Sequence, residues 1–304
     1  MSKIVGIGAN VYDTLITVPF YPEEDTKLKA DNVTISGGGP CATGLVAASK
    51  LGGDTAYIGV LSDDEGGKFL LNDMKKYGVC TDYVRIASGY DSFSSYIWLS
   101  KNTSARTCVF NKGNIPPLVP DSVQKKAIED AELIMVDGNE MNAAIEGCKI
   151  ANKSGTKVLY DAGGLYDNVE KLLPLSDILI PSEEFALGHT GESTAEKAAE
   201  KLFKLYAPEV VVITQGKDGG IIYDGYNVRR YPAFLVDAID SNGSGDVFHG
   251  AFAFAVTAGY DYYKACVFSS AVSAIKCTKL GARNGVPSLE ETLNFLKERV
   301  TDEL

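Results

Sequence analysis

The sequence has few of the residues that build metal centres, and it has no long apolar run. Its 304 residues include two histidines, His189 and His249, and six cysteines with no Cys-x-x-Cys pair, so a zinc site is not expected. No segment approaches the length of a membrane-spanning helix, and the N-terminal apolar run is too short for a signal peptide. We therefore expect a cytoplasmic protein with reduced cysteines and no membrane partner.

The sequence also lacks an excess of positive charge. It has 29 Lys and Arg residues against 40 Asp and Glu residues, which gives a formal net charge of −11 at pH 7. This balance argues against a nucleic-acid partner and against adhesion to an anionic membrane. It leaves open a small anionic ligand, because such a ligand needs only local positive charge.

Short strand-like and helical segments alternate along most of the chain. Strand-like runs at 55–60, 133–138 and 209–214 are separated by segments of helical periodicity. This alternation predicts a three-layer α/β fold, a mostly parallel sheet with helices on both faces. The length is typical of one large domain, which we place over residues 1–304.

Two segments do not fit this alternation. Residues 15–36 mix prolines with alternating polar and apolar side chains, and residues 90–111 contain a hairpin pattern. We expect them to form a small β-sheet lid inserted in the domain. Because Tyr96 and Trp98 on such exposed strands need a cover, we also expect a homodimer through the lid strands.

The strongest chemical signal is the segment Asp240-Ser-Asn-Gly-Ser-Gly-Asp246. Gly243 and Gly245 allow the backbone to approach a ligand closely, and the helix that follows points free N–H groups at an anion. Asp246 at this position can accept a proton from a hydroxyl group beside a bound phosphate. The alternative interpretation of Asp246 is an ordinary residue of a helix first turn.

This segment resembles the C-terminal signature of the ribokinase-like (PfkB) carbohydrate kinases, Asp-Thr-x-Gly-Ala-Gly-Asp-x-Phe, with serine at positions 241 and 244. Residues 37–52 resemble the N-terminal signature of the family. Residues 58–66 are similar to its Gly-x-x-Gly-x-Asp-x-x-Gly segment, with Ser62 in place of a glycine. The resemblance implies a ribokinase-like fold. It also implies ATP-dependent phosphorylation of a hydroxyl group on a sugar or sugar-like polyol, by direct in-line transfer.

The resemblance also implies roles for individual residues. Asp246 would be the catalytic base, and Gly243, Ser244 and Gly245 would form the anion hole for the transferred phosphate. The substrate-binding candidates are Asp13, Gly38, Gly39, Thr43 and the lid residue Arg106. The nucleotide-binding candidates are Thr214, Gly216, Ser182, Gly281 and Ala282.

The metal ligands follow the family pattern less closely. The Asn-x-x-Glu motif that the family links to magnesium becomes Ser182-Glu-Glu-Phe185, so Glu183 or Glu184 would act on Mg²⁺ through water. Asp240 and Asn242 resemble part of a monovalent-cation site, which leaves a requirement for K⁺ open.

The substrate stays open at this point. Val11 and Thr43 stand where ribokinase and the wider family have asparagines, which weakens a ribose assignment, and the lid approach at residues 19–27 favours a ketose or hexose. Arg106, with lid lysines, would hold an anionic group on a phosphorylated or sulfonated sugar, or else be a solvated charge. The alternatives are a nucleoside kinase of the same family and a non-catalytic sugar or nucleotide sensor. An NAD-dependent oxidoreductase ranks third, since Val11 stands at the third glycine of the dinucleotide fingerprint.

Overall fold

The computed structural model describes residues 3–103, 105–164 and 166–299, so the ends of the predicted domain over 1–304 lie outside the described residues. The strands are β1 Ile4–Ile7, β2 Val11–Val18, β3 Asn32–Gly38, β4 Thr55–Tyr57, β5 Gly59–Ser62, β6 Val84–Ala87, β7 Ser94–Ser100, β8 Arg106–Asn111, β9 Leu133–Val136, β10 Lys157–Ala162, β11 Ile178–Pro181, β12 Val210–Thr214, β13 Gly220–Tyr223 and β14 Val228–Tyr231. The helices are α1 Pro40–Lys50, α2 Glu65–Lys76, α3 Ser122–Glu129, α4 Met141–Ser154, α5 Val169–Leu172, α6 Glu183–Thr190, α7 Ala195–Tyr206, α8 Ser244–Thr257, α9 Tyr262–Cys277 and α10 Leu289–Lys297. In this part of the chain no helix is both long and apolar enough to cross a membrane.

The central sheet has eight strands in the order β14-β13-β12-β11-β10-β9-β1-β4. The six neighbouring strands β4, β1, β9, β10, β11 and β12 pair in parallel. Strands β13 and β14 add an antiparallel edge. Strands β1, β9 and β11 are short apolar runs buried at every residue, as expected for strands covered on both faces. The mostly parallel sheet predicted from the alternation is confirmed.

Side chains from the two faces of this sheet enter two separate cores. Ile4 packs in one core with residues of α1, α8 and α9, and Val5 packs in the other with residues of α4 and α7. Helices α1 and α8 cross very closely at Gly44 and Gly250. An added Cβ on Gly250 would lie only 2.0 Å from the Gly44 carbonyl oxygen. The two cores confirm the predicted three-layer architecture.

The small sheet has four strands in the order β3-β2-β7-β8, with β2 and β7 parallel and the other pairs antiparallel. The lid sheet begins at Val11, earlier than the predicted start of the lid at residue 15. Register places Leu15 and Ile97, both buried, on the inner face of this lid sheet. The alternating pattern of the lid segments therefore reflects one covered face and one open face.

The run over 55–60, expected as a single strand, forms two. Ile58 still donates its N–H to the Gly6 carbonyl oxygen of β1, but Gly59 begins β5, which pairs in parallel with β6 in a separate sheet. The chain therefore leaves the central sheet after β4. Helix α6, between β11 and β12, is not anticipated by the sequence patterns.

Candidate active site

The glycine-rich loop and the first turn of α8 form the centre of the site. Gly243 has a φ of 73°, in the left-handed region that favours glycine, and α8 begins at the next residue. Ser273 on α9 donates a 2.8 Å hydrogen bond to the Ser244 carbonyl oxygen, which holds the loop in place. An added Cβ on Gly245 would meet no atom within 4 Å, so the first turn is open on that side. Ser244 donates its N–H to the Ser241 carbonyl oxygen at 3.2 Å, whereas among the described residues the N–H groups of Gly245 and Asp246 have no such partner and are suited to an anion.

A cavity of about 340 Å³ adjoins this turn. Its lining includes the predicted residues Thr214, Gly216, Ser244 and Gly245. The remaining wall is largely apolar and includes Val236, Phe248 and Ala274. An apolar wall that leads to a helix N-terminus can hold an aromatic base at one end and phosphates at the other.

A second cavity, of about 350 Å³, lies at the carboxyl ends of β1 and β9. Its polar lining residues include Asn10, Asn139, Lys112 and Glu140. Ligands of open α/β sheets bind at this end of the strands. The lining carries one cation and one anion, together with side-chain amides that can both donate and accept hydrogen bonds.

Asp13 on β2 is buried on the inner face of the lid sheet. Its Oδ1 accepts a 2.6 Å hydrogen bond from the Ser95 hydroxyl on β7. Its Oδ2 lies 1.9 Å from the position of an added Cβ on Gly38, so only glycine at 38 leaves room for the carboxylate. Burial raises the pKa of Asp13 from 3.8 to about 6, opposed by Ser95 and by the charge of Arg283.

Arg283 is a site residue that the sequence patterns do not reveal. It follows the Gly281-Ala282 pair and is 1% exposed. Its guanidinium donates to the Gly38 carbonyl oxygen at 2.6 Å, the Asn10 Oδ1 at 2.9 Å and the Asp73 Oδ2 at 2.7 Å. It therefore fixes the backbone beside Asp13. Its position directly after a recognised family element is the only available signal.

Asp137, at the end of β9, is a second residue missed at the sequence level. Its carboxylate accepts hydrogen bonds from the N–H groups of Ala9 at 2.8 Å, Cys41 at 3.0 Å and Asn139 at 2.9 Å. Burial raises its pKa, while these donors oppose the shift. Asp137 thus ties the ends of β1 and β9 to the start of α1, where the second cavity lies.

Asp246 lies in the first turn of α8, next to a buried histidine. The Nδ1 of this residue, His249, lies 2.6 Å from the Gly245 carbonyl oxygen and 3.2 Å from Asp161 Oδ2. Its Nε2 lies 3.1 Å from the Ile180 carbonyl oxygen, so both ring nitrogens face oxygen acceptors. Burial raises the pKa of Asp246, and the charges of His249 and Arg106 oppose this shift.

Comparison with known proteins places this arrangement in a family. The profile of the pfkB family carbohydrate kinases matches residues 1–289. The chain belongs to this PfkB family. It is an ATP-dependent carbohydrate kinase, a phosphotransferase with an alcohol group as acceptor.

Several relatives of this PfkB kinase carry the name ribokinase. A ribokinase of Haemophilus influenzae is 29% identical over 298 residues, which cover 96% of this chain and 97% of the relative. A 5-dehydro-2-deoxygluconokinase of Clostridium perfringens is 27% identical over 86% of this chain and 84% of the relative. The solved structure of a ribokinase from Thermotoga maritima superposes with a TM-score of 0.86 at 26% identity, covering 98% of this chain and all of that one. These relatives give no support to the ketose or hexose preference expected from the lid approach.

Some candidate residues of this PfkB kinase lie away from the two cavities. Thr43 is fully buried in α1, and among the described residues its hydroxyl has no hydrogen-bond partner. The lining of the 340 Å³ cavity does not include Gly281 or Ala282. Gly281 instead donates its N–H to Asp240 Oδ2 at 2.8 Å, and Ala282 packs against Gly243. Gly281 and Ala282 therefore contact the glycine-rich loop itself, at Asp240 and Gly243.

The remaining candidates surround the loop and the nucleotide-side strands. Ser182 caps α6, accepting from the Phe185 N–H, and forms a bridge with Thr214. Glu183 Oε1 accepts a 2.7 Å hydrogen bond from the Gln215 amide, whereas Glu184 is exposed. Further side-chain contacts join the lid and α9 to the loop. The Arg106 guanidinium donates to Asn242 Oδ1, and the Asn242 N–H donates to Asp240 Oδ1. The Lys276 ammonium donates to the Asp240 carbonyl oxygen.

Proposed function

We propose that this PfkB kinase transfers the γ-phosphoryl group of ATP to a hydroxyl group of a neutral monosaccharide, with Asp246 as the base. The observation that carries this proposal is the position of Asp246 in the open first turn of α8, directly after Gly243, Ser244 and Gly245. A proton acceptor beside an anion-binding turn is what in-line transfer to an alcohol needs.

The base is the first element of the proposed mechanism. Asp246 accepts the proton of the substrate hydroxyl as the hydroxyl oxygen attacks phosphorus. Burial raises its pKa, which makes it a better proton acceptor once ionised, and the positive charge of Arg106 favours that ionised form.

The phosphates are held mainly by backbone. In this proposal the transferred phosphoryl group binds at the amides of Gly243, Ser244 and Gly245, and Ser244 exchanges its 3.2 Å hydrogen bond to the Ser241 carbonyl oxygen for one to the phosphate. Arg106 adds positive charge from the lid. Magnesium would neutralise part of the phosphate charge when bound. Glu183 fits this ion, because its carboxylate is anchored by Gln215 beside Thr214 and Gly216 on the nucleotide side.

The sugar is proposed to bind between the 350 Å³ cavity and Asp13, which is not itself a lining residue of that cavity. A carboxylate can accept hydrogen bonds from two adjacent hydroxyl groups, and Asn10 lies nearby on the Arg283 guanidinium. Lys112 and Glu140 are the charged side chains of the lining, one of each sign, so an uncharged sugar suits the cavity better than a phosphorylated one. The lid lysines that could hold an anionic group are Lys27 and Lys29. Both lie exposed on the connection between β2 and β3.

A substrate panel tests the proposed function. We expect ADP release with Mg²⁺-ATP to rise on addition of a neutral monosaccharide from a panel of ribose, fructose and glucose, with a phosphorylated sugar product. The corresponding sugar phosphates, adenosine and inosine should be poorer acceptors. Preference for a nucleoside would favour the nucleoside-kinase alternative. Tight sugar binding without phosphoryl transfer would favour the sensor.

The outer face of the lid sheet supports the proposed homodimer. Register aligns Ile35, Thr14, Tyr96 and Val109 in one row across the four strands, and Ile35, Tyr96 and Val109 are all exposed. Val33, two residues from Ile35, extends the same face and is 57% exposed. A continuous apolar sheet face of this kind needs a cover, and a second lid is a matching one.

Light scattering tests the dimer. We expect a dimeric mass for the unchanged protein and a monomeric mass for Val109→Lys, which places a charge in the middle of the face. Val123→Lys, at a position 62% exposed on α3, is the matched control and should leave the mass unchanged. A monomeric mass for the unchanged protein would overturn the prediction.

A further inference from the structure

A fully buried lysine, Lys276, contacts the start of the glycine-rich loop. Its side chain is 0% exposed, although lysine is almost never fully buried without a partner. The ammonium donates a 2.7 Å hydrogen bond to the Asp240 carbonyl oxygen and lies 4.0 Å from Asp240 Oδ2. Asp240 is itself buried, so the two charges face each other away from water.

This position matters because the family resemblance leaves open whether a monovalent cation binds there. Main-chain carbonyl and carboxylate oxygens are the ligands that such a cation needs. The Asp240 carbonyl oxygen already accepts from Lys276, and the two carboxylate oxygens accept the N–H groups of Asn242 and Gly281, each at 2.8 Å. The residues present therefore do not fit a free potassium ion, since it would lie beside another positive charge in a site of low dielectric.

We propose that the Lys276 ammonium takes the place of the monovalent cation at Asp240, and that this PfkB kinase does not require potassium. An ammonium group and a potassium ion are similar in size and carry the same charge. The lysine differs in being tethered to α9, so it cannot dissociate.

The contacts of α9 indicate what the tethered cation does. Lys276 holds the beginning of the loop at Asp240, and Ser273, one turn earlier on α9, holds the Ser244 carbonyl oxygen. The two contacts fix the loop at both ends and so orient the amides of the anion hole. Lys276 is thus a positioning residue that acts through Asp240 and does not touch the reacting atoms.

Thermal unfolding tests this inference without relying on the proposed function. The melting temperature of the unchanged protein should be the same in potassium, sodium and tetramethylammonium chloride at equal ionic strength. Lys276→Ala should melt several degrees lower, and potassium should restore part of the loss where tetramethylammonium does not, because a cation that binds only the folded state stabilises it. Lys276→Met fills the space with an apolar chain and should show no restoration.

Turnover is the second readout. The unchanged protein should work equally well in all three salts, whereas Lys276→Ala should lose most of its turnover and regain part of it with potassium. Lys279→Ala, which removes an exposed lysine paired with Glu291, is the matched control and should behave like the unchanged protein in every salt.

Potassium-selective activation or stabilisation of the unchanged protein would overturn the inference, whether or not the variants fold. Full turnover of Lys276→Ala in tetramethylammonium chloride would overturn it as well. Absence of phosphoryl transfer in the unchanged protein would contradict only the proposed function, because the melting temperatures would still report on the cation.

Discussion

The central sheet and the lid sheet differ in how far their strands are buried. The strands β1, β9 and β11 are buried at every residue, whereas β8 in the lid is exposed along its whole length. The central strands are short apolar runs, and the lid strands alternate serine and threonine with aromatic and branched residues. Burial on both faces therefore sets the sequence of the core, and one-sided burial sets that of the lid.

The candidate site lies where the two sheets meet, and each contributes a different chemistry. The core contributes the helix start with Asp246 and the carboxylate junction at Asp137, both held by backbone contacts. The lid contributes Asp13 and Ser95 on its inner face and Arg106 on its edge strand. Under the proposed function, rigid elements of the core would hold the phosphates, while the lid sheet would bind the sugar.

The largest expected difference between the two regions is in packing. Phe252→Ala, in the α8 core where Phe252 is 0% exposed, should lower the free energy of unfolding by about 3–5 kcal/mol. Phe110→Ala, in the lid where Phe110 is 60% exposed, should change it by no more than about 0.5 kcal/mol. Urea denaturation measures both. Equal losses would show that the lid sheet is as tightly packed as the core.

The second prediction concerns the buried carboxylate of the lid. The pKa of Asp13 is raised from 3.8 to about 6, so the folded state holds a proton that the unfolded state has released between these values. Stability therefore falls as the pH rises through this window. Asp13→Asn removes the ionisation, and relative to the unchanged protein it should gain up to about 3 kcal/mol between pH 4 and pH 6 while losing sugar binding.

Unfolding titrations at several pH values measure this effect. Glu24→Gln, on the exposed lid approach, is the control and should show no such gain. A stability difference between Asp13→Asn and the unchanged protein that does not vary with pH would contradict the burial of a charge on the inner lid face.

The smallest expected effect on stability concerns two glycines of helix α8, Gly250 and Gly245. Gly250→Ala places a Cβ against the Gly44 carbonyl oxygen at the α1–α8 crossing and should cost about 1–3 kcal/mol. Gly245→Ala meets no neighbouring atom and should leave stability unchanged, but its methyl group should hinder the approach of phosphate and raise the KM for ATP. Destabilisation by both variants in equal measure would argue that α8 is uniformly packed.

Much of the fold is predictable from the sequence, because the core obeys local rules. Apolar runs such as 133–138 become buried strands, and the two irregular segments become the lid. The run over 55–60 fails as a single strand, because the pairing of β5 with β6 is a tertiary choice that periodicity does not report. Helix α6 is missed because its start, Ser182 with two glutamates, is taken as a degraded metal motif and not as a capped first turn.

The site is predictable only where function requires unusual local chemistry. Gly243 and Asp246 stand out because they belong to a glycine-rich helix start that matches the C-terminal signature of the family. Arg283 and Lys276 do not stand out, because a charged residue in a sequence is normally exposed and its burial depends on partners far along the chain. Asp240, for example, meets Lys276 only because α9 packs against the loop.

The central claim is that Asp246 acts as the base for phosphoryl transfer to a sugar hydroxyl. The most direct measurement is the turnover number of Asp246→Asn in the sugar-dependent ADP-release assay, with ATP and sugar affinities measured alongside, and with Asp237→Asn, an exposed aspartate shortly before the loop, as the control. The account predicts a fall in kcat of about 10²–10⁴-fold with both ligands still bound, and a normal kcat for the control. Near-normal turnover of Asp246→Asn would contradict it.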